Sequence, residues 1–250
     1  LYNGDCIKVM SQLVADGIKV DKIITSPPYN IIRPEATDRG NDVYQDRLIT
    51  NDEYIDWTLK VFECYDKLLN LNGCICYNLS YGTENTEAMN LTVAEIIKQT
   101  EFTLADVLVW KKYCASPNNM SCNKMTRICE FVYVFCRRSE FDTFTCNKRI
   151  VSYRETNQPN YENMFNFFTA QNNDESQELN KATFSTDFVY NLMDRYVKPT
   201  DVVLDNFSGT GTTMIACESR NVRSIGIELS KKQCAYAVKR LKRGVQLALV

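Results

Sequence analysis

The sequence predicts an α/β fold, with helices covering a doubly wound, mostly parallel sheet. Apolar strand patterns alternate with amphipathic helix patterns along most of the 250 residues, and this alternation is typical of parallel sheets with crossover helices. Two polar motifs, at residues 26–29 and 207–211, each follow a predicted strand. Because ligands of such sheets bind beyond the carboxyl ends of the strands, motifs about 180 positions apart can meet in one cleft.

The composition is that of one domain with a sizeable core. Hydrophobic residues make up 44% of the chain and charged residues 24%, so we expect a single domain over residues 1–250. No apolar run approaches the ~20 residues that span a bilayer, and no leader pattern is present. The eleven cysteines lack paired spacing and the chain has no histidine, which nearly excludes zinc. We expect an intracellular, cytoplasmic enzyme without a metal.

The first motif ends a buried strand. β-Branched residues dominate residues 20–25, and Pro27 and Pro28 must end this strand because proline cannot donate to a ladder. The proline carbonyl groups have no helix or ladder partners and are available to a ligand. Ser26 adds a hydroxyl group and Tyr29 a flat ring, which together suit a planar heterocycle with an exocyclic amino group. The alternative is a proline turn in which Tyr29 fills the core.

The other elements of the first half follow in alternation. A short strand at residues 1–3 leads into a helix from Cys6 to about Val14, with Asp5 as a candidate N-cap. Residues 31–52 form a polar active-site loop, either a lid or partly disordered. Apolar periodicity then predicts helices from residue 51 to about 72 and at 87–99, and strands at 74–79, 104–110 and 128–136.

A second motif has the layout of a nucleotide-binding βαβ unit. A strand at residues 202–205 enters the glycine loop at 207–211, and a helix and a strand ending on Glu228 follow. A carboxylate about 20 residues beyond such a loop binds ribose hydroxyl groups. The loop lacks both the third glycine of dinucleotide sites and the lysine of nucleotide triphosphatases. These features favour a cofactor with adenosine and no pyrophosphate, and S-adenosylmethionine is the candidate.

A local excess of basic residues in residues 106–154 suggests a nucleic-acid surface, although the net charge is −2. The alternative is a solvated strand edge. The candidate residues are Lys111, Lys112, Lys124, Arg127, Arg137 and Arg138. The basic residues of the last helix pattern, residues 231–243, fit a solvated face better than a DNA contact.

Several motifs together resemble one enzyme family. The stretch TSPPYN at residues 25–30 resembles the catalytic motif of DNA methyltransferases that modify exocyclic amino groups, and FSGTG at 207–211 resembles their cofactor motif. Their order is that of the family's β group. The stretches NGDC at 3–6, WKK at 110–112 and residues 130–135 are also similar, so the resemblance covers nearly the whole chain.

The resemblance implies a Rossmann-like methyltransferase architecture and a role for each matching residue. The catalytic residues are Ser26, Pro27, Pro28 and Tyr29. The cofactor-binding residues are Asp5, Cys6, Thr25, Ser26, Phe184, Asp205, Phe207, Ser208, Gly209, Thr210, Gly211, Thr212, Glu228 and Leu229. Asp5 is placed near the adenine, and a short target-recognition insert is expected at residues 139–180.

The activity implied is site-specific methylation of a flipped DNA base on its exocyclic amino group. Cytosine N4 is favoured because serine at the first motif position is most frequent among enzymes of that specificity. Adenine N6 is the alternative, an RNA amine methyltransferase a more distant one, and a non-catalytic binding subunit another. Double-stranded DNA is the expected partner, and a homodimer and a cognate restriction endonuclease are open alternatives.

Overall fold

A central sheet organises the protein. The computed structural model describes residues 1–30, 50–81, 85–115, 117, 122–174 and 183–247, with side chains to residue 243. Eight strands form the sheet in the order β1-β10-β9-β2-β3-β5-β4-β8, and β6 pairs with β7 in a separate hairpin. The strands are β1 Tyr2–Asn3, β2 Val20–Thr25, β3 Leu69–Leu79, β4 Phe102–Lys112, β5 Cys129–Arg137, β6 Ile150–Tyr153, β7 Pro159–Tyr161, β8 Phe167–Ala170, β9 Val202–Asp205 and β10 Arg223–Glu228.

Helices cover both faces of this sheet. One core contains apolar side chains of α1, α2 and α3, and a second core on the other face contains those of α4 and α5. The helices are α1 Cys6–Ala15, α2 Asn51–Leu68, α3 Ala88–Gln99, α4 Thr186–Tyr196, α5 Thr212–Ser219 and α6 Lys231–Leu247. Only β5 runs antiparallel to its neighbours β3 and β4 in the eight-stranded sheet. The predicted doubly wound, mostly parallel fold is therefore confirmed.

The strand order reverses beside the two motifs. β9 continues through α5 to β10 on one side, whereas β2 continues through α2 to β3 on the other, and β2 and β9 are direct parallel neighbours. A crevice opens where crossover connections leave in opposite directions, and this is where ligands bind in open α/β sheets. The chain therefore brings residues 25–29 and 205–211 to one edge of the sheet.

One predicted boundary is wrong. The sequence places the end of a helix near residues 72–73, but α2 ends at Leu68 and β3 begins at Leu69. Asn72 has φ 57° and the pairing with β2 shifts register from Val20–Leu69 to Lys22–Cys74, so Asn72 and Gly73 form an irregular part of the strand. Gly73 also approaches backbone closely, because an added Cβ would lie 3.0 Å from the Asp21 carbonyl oxygen.

The predicted insert at residues 139–180 contains the β6–β7 hairpin and β8, which extends the sheet beside β4. Before the hairpin, the Asn147 side-chain amide donates to the Met193 and Val197 carbonyl groups, at the C-terminal end of α4. Tyr153 and Tyr161 on the hairpin are exposed. Residues 31–49 of the predicted active-site loop and 175–180 of the insert lie outside the described residues.

No helix in the described part of the chain combines the length and the apolar character that crossing a membrane requires.

Candidate functional site

A buried carboxylate joins the two motifs. Asp205, the last residue of β9, accepts hydrogen bonds from the hydroxyl groups of Thr25 at 2.7 Å and Thr213 at 2.6 Å, and from the Phe207 N–H at 3.1 Å. Burial raises the pKa of Asp205 to about 6, although these three hydrogen bonds lower it. The end of β2 is therefore fixed to the end of β9 and to the start of α5.

The glycine loop is held by backbone contacts on its other side. The Ser208 N–H donates to the Ile227 carbonyl at 2.9 Å, and the Gly209 N–H donates to Glu228 Oε2 at 2.8 Å. Gly211 has φ +82°, and an added Cβ would lie 2.9 Å from the Ala237 Cβ. The loop therefore needs glycine at 211 for its conformation and for its packing against α6.

Glu228 lies at the end of β10 with 8% of its surface exposed. Besides Gly209, its carboxylate accepts from the Ser230 N–H at 2.7 Å. Burial, the largest influence, raises the pKa of this carboxyl group, and the backbone hydrogen bonds oppose the shift. A carboxylate offers about four acceptor directions, so beyond the backbone N–H groups of Gly209, Ser230 and Leu229 the group can still accept from a ligand hydroxyl.

The N-terminal residues adjoin this carboxylate. Gly4 N–H donates to the Glu228 carbonyl at 3.0 Å, which brings Asp5 and Cys6 beside the end of β10. Asp5 caps α1 through the Lys8 N–H at 3.0 Å, so the N-cap prediction is confirmed. The Cys6 thiol is buried, and burial raises its pKa to about 12, which makes it a packing group.

Two apolar residues complete the predicted cofactor set. Leu229, next to Glu228, is 51% exposed. Phe184 precedes α4, and its ring centroid lies 4.8 Å from that of Phe188 in the second core. At the loop itself, the Ser208 hydroxyl is buried and has no hydrogen-bond partner within the part of the chain that the structure describes. A buried hydroxyl of this kind is satisfied when a ligand or a water occupies the loop.

The motif at residues 26–29 forms a cluster of polar groups with the end of β3. Ser26 Oγ and the Tyr29 hydroxyl are 2.9 Å apart, and Asn78 Oδ1 lies 3.3 Å from Ser26 Oγ and 2.8 Å from the Tyr29 hydroxyl. Asn78 Nδ2 donates to the Phe131 carbonyl at 3.0 Å, so the carboxamide oxygen faces the motif. The Tyr29 hydroxyl is also 3.1 Å from Glu130 Oε2. Sequence reasoning left Asn78 and Glu130 out of the site.

Glu130 connects this cluster to a basic residue. Its Oε1 forms an ion pair with the Lys112 ammonium group, and both side chains are partly buried. Lys112 also lies 5.2 Å from the centre of the Trp110 ring system. Lys112 therefore holds the Glu130 carboxylate that contacts Tyr29, and it also lies at the edge of the cleft.

Helix α2 supports both motifs from one face. The Tyr54 hydroxyl donates to the Pro28 carbonyl at 2.7 Å, and the Tyr65 hydroxyl donates to Asn206 Oδ1 at 2.7 Å. Between them, the Trp57 ring centroid is 5.5 Å from that of Phe207. The sequence shows these aromatic residues on an amphipathic helix, but the pattern alone indicates a core position and not the partner.

The predicted nucleic-acid residues separate into two groups. Lys111, Lys112, Lys124 and Arg127 lie at or beyond the cleft end of β4 and β5, and the Arg127 guanidinium is 5.1 Å from the Tyr81 ring centroid. Arg137 lies at the opposite end of β5, where its guanidinium binds Asp66 and the Leu69 and Asn70 carbonyl groups. Arg138 donates to the Ile97 and Phe102 carbonyl groups.

The positions of Arg137 and Arg138 argue against their predicted role in binding nucleic acid. Arg137 and Arg138 are engaged with the protein itself at the edge away from the motifs, so they do not line the cleft. No group of three or more potential metal ligands occurs among the described residues.

Family comparison agrees with this geometry. A family model described as DNA methylase matches residues 20–239, which include both motifs. The chain belongs to this DNA methylase family of N6 and N4 methyltransferases. The cofactor of the family is S-adenosylmethionine. The predicted family and cofactor are therefore confirmed.

This DNA methylase resembles curated type II methyltransferases over nearly all of its length. It is 22% identical to M.BglII of Bacillus subtilis, covering 93% of this chain and 66% of that protein. It is 26% identical to M.HinfI of Haemophilus influenzae, covering 97% of this chain and 68% of that protein. The chain therefore spans about two thirds of the length of these two relatives.

Solved structures share the fold of this DNA methylase. The M1.HpyAVI complex with S-adenosylmethionine matches with a TM-score of 0.65 and 21% identity, covering 96% of this chain and 97% of that one. A structure named PvuII DNA methyltransferase, cytosine-N4-specific, matches with a TM-score of 0.71 and 17% identity, covering 96% of this chain and 84% of that one. At these identities the likeness concerns the fold.

Proposed function

We propose that this chain methylates the exocyclic amino group of a base flipped out of duplex DNA, with cytosine N4 as the favoured target. The observation that carries the proposal is the hydrogen bond from Thr25 to Asp205, 2.7 Å long, which joins the catalytic strand to the cofactor strand. The neighbouring Ser26 and the glycine loop then face the same crevice. A methyl donor and an acceptor amine can react there by positioning alone.

The cofactor-side residues suit the adenosine half of S-adenosylmethionine. Glu228 accepts hydrogen bonds from ribose hydroxyl groups, and the glycine loop lets the ligand approach the backbone closely. Leu229, which is exposed at the end of β10, provides an apolar contact for the adenine. When bound, the cofactor supplies a methyl group on a positively charged sulfur, so no covalent enzyme intermediate is needed.

Ser26 acts as the acceptor for the target amine. When the Ser26 hydroxyl donates to Asn78 Oδ1, its lone pairs face outward and can accept an N–H of the base. The Pro27 carbonyl accepts the second N–H, whereas the Pro28 carbonyl already receives the Tyr54 hydroxyl. Two acceptors on the amine draw its lone pair out of conjugation with the ring and toward the methyl group. The methylated amino group then gives up one proton, and the Ser26 hydroxyl, which accepts an N–H of the amine, can pass it to solvent.

Tyr29 stacks on the flipped base in this mechanism. Its hydroxyl is within hydrogen-bond distance of Asn78 and Glu130, which fixes the ring at the floor of the cleft. The base therefore meets a rigid aromatic face, and little side-chain entropy is lost when it binds.

Duplex DNA lies across the cleft end of β4 and β5 in this proposal. Lys111 and Lys124 are exposed there, and Arg127 lies beside Tyr81. Phosphate contacts from such residues supply affinity without base specificity. We assign target recognition to the insert at residues 139–180, and leave Arg137 and Arg138 out of the DNA surface.

The choice of base rests on the serine at position 26, and one structural neighbour is named as cytosine-N4-specific. Adenine N6 is the second candidate, because both amines present two N–H donors and both rings can stack on Tyr29. An RNA amine is the more distant candidate.

Product analysis tests the proposal. Purified protein is incubated with S-adenosylmethionine and either duplex DNA or RNA, and the digested nucleosides are identified by mass spectrometry. We expect N4-methylcytosine from DNA, no product with Ser26→Ala, and normal product with Ser219→Ala, which changes an exposed serine at the C-terminal end of α5. N6-methyladenine would overturn the choice of base, and full activity of Ser26→Ala would overturn the mechanism.

A further inference from the structure

Arg240 differs from the other basic residues of α6. The sequence predicts a solvated basic face for this helix, and Lys239, Lys242 and Arg243 are indeed exposed. The Arg240 side chain is only 15% exposed. Its Nη1 donates to the Thr210 carbonyl in the glycine loop at 2.9 Å and to Thr212 Oγ1, at the first residue of α5, at 3.1 Å.

The same guanidinium binds a carboxylate from another part of the chain. Arg240 Nη2 donates to Asp174 Oδ2 at 3.0 Å, and the Asp174 side chain is 22% exposed. Asp174 Oδ1 in turn accepts from the Thr186 N–H at 3.0 Å and from Thr186 Oγ1 at 3.2 Å, at the first residue of α4. Arg240 therefore connects α6, the glycine loop and the N-terminal end of α4.

A second contact fixes the loop against the same helix. The missing side chain of Gly211 leaves room for Ala237, since an added Cβ would lie 2.9 Å from the Ala237 Cβ. Ala237 and Arg240 are three positions apart and lie on one face of α6. The glycine loop thus packs on one face of α6, where Ala237 makes the close contact and Arg240 is the charged donor.

We propose that Arg240 and Asp174 are positioning residues that hold the glycine loop in its ligand-binding conformation and thereby set the affinity for S-adenosylmethionine. The inference rests on the proposed placement of the cofactor at this loop. Preordering the loop lowers the entropy that is lost on binding, so the pair strengthens affinity without touching the reacting atoms. Partly buried, charge-assisted hydrogen bonds are strong enough to impose such an order.

Titration calorimetry of the full chain with S-adenosylmethionine tests the role of Arg240. We expect Arg240→Met to weaken binding about tenfold, which corresponds to about 1.4 kcal/mol. Arg240→Lys should lie between Arg240→Met and the unchanged protein, because one ammonium group cannot reach both the loop and Asp174. Lys239→Met removes the same charge from an exposed neighbouring position and should leave the affinity unchanged.

A second variant separates positioning from general stabilisation. Asp174→Asn should weaken binding several-fold, and combining it with Arg240→Met should add little, since both changes release the same contact. At saturating cofactor, kcat should stay near its original value while KM for the cofactor rises. Urea unfolding of each variant measures how much stability is lost separately from affinity.

Three outcomes would overturn the inference. One is unchanged affinity in a folded Arg240→Met, or in both Arg240→Lys and Asp174→Asn if Arg240→Met does not fold. Another is an equal loss in Lys239→Met, which would indicate a general charge effect. The third is a fall in kcat at saturating cofactor with no change in KM. If Glu228→Ala also leaves affinity unchanged, the placement of the cofactor itself is wrong.

Discussion

Asn78 shows how one side chain sets the chemistry of another. Its amide nitrogen is occupied by the Phe131 carbonyl, so only its oxygen can face the hydroxyl groups of Ser26 and Tyr29. A carboxamide turned the other way would present N–H donors to both hydroxyl groups, and Ser26 would lose the orientation that we propose for accepting an amine. A backbone carbonyl on β5 thus ensures that the Ser26 hydroxyl meets an acceptor oxygen, and not an N–H donor, at Asn78.

We expect Asn78→Ala to lower kcat about tenfold to hundredfold, because the orientation of Ser26 depends on one or two hydrogen bonds worth about 1–3 kcal/mol in the transition state. The affinity for S-adenosylmethionine should not change. Steady-state kinetics and calorimetry on the same preparation measure both. The control is Gln99→Ala, which removes an exposed carboxamide at the C-terminal end of α3, and equal losses in the two variants would contradict the role of Asn78.

Individual site residues differed in how far the sequence could identify them. Ser26 and Glu228 could be identified because each belongs to a sequence motif of recognisable residue types and spacing. Asn78 and Glu130 are 52 and 101 positions from the residues of the motif that they contact. Their roles depend on the register between β3 and β5. This register is set by tertiary packing, which cannot be predicted from a single sequence.

At the scale of elements, α2 connects the two halves of the site. Its capping box at Thr50 and Glu53 begins the helix, and its buried face then supports Pro28 through Tyr54 and Asn206 through Tyr65. The periodicity of α2 could be predicted from the sequence. The start of β3 could not, because Asn72 and Gly73 signal a helix end but here form a strand irregularity.

The junction between the glycine loop and α6 gives a second prediction. Gly211→Ala should destabilise the fold by roughly 1–3 kcal/mol, since it places a side chain at positive φ and against Ala237. Gly17→Ala is the matched control, because Gly17 has φ +72° but nothing within 4 Å of an added Cβ. Urea unfolding should show the larger loss for Gly211→Ala, and equal losses would mean that the contact with α6 is unimportant.

At the scale of the whole molecule, Asp205 is the point where the two halves of the sheet meet. Its carboxylate binds Thr25 at the end of β2 on one side, and Phe207 and Thr213 in the β9–α5 segment on the other. The doubly wound topology was predictable from the alternation of elements, and it already implied that the two motifs share an edge. The hydrogen bond that joins them was not, because the motifs single out Thr25 and Asp205 separately and nothing in the sequence pairs the two residues.

Asp205 also makes the stability of the fold depend on pH. Its pKa is raised by burial from 3.8 to about 6, so the folded state binds this proton more tightly than the unfolded state. The stabilisation from protonation is therefore fully present below about pH 4 and is lost as the pH rises through about 6. The two pKa values correspond to a difference of roughly 3 kcal/mol.

Asp205→Asn should remove this dependence. The free energy of unfolding, measured with urea between pH 4 and 8, should fall relative to the variant by up to roughly 3 kcal/mol as the pH rises. Glu228, whose pKa burial also raises, is present in both proteins, and only the smaller part of its shift that comes from the Asp205 charge differs between them. An asparagine keeps one acceptor oxygen, and the hydroxyl of Thr25 or Thr213 can rotate to accept from its amide. Parallel stability curves for the two proteins would show that Asp205 does not titrate in this range, and the carboxylate would then be a fixed charge in the junction.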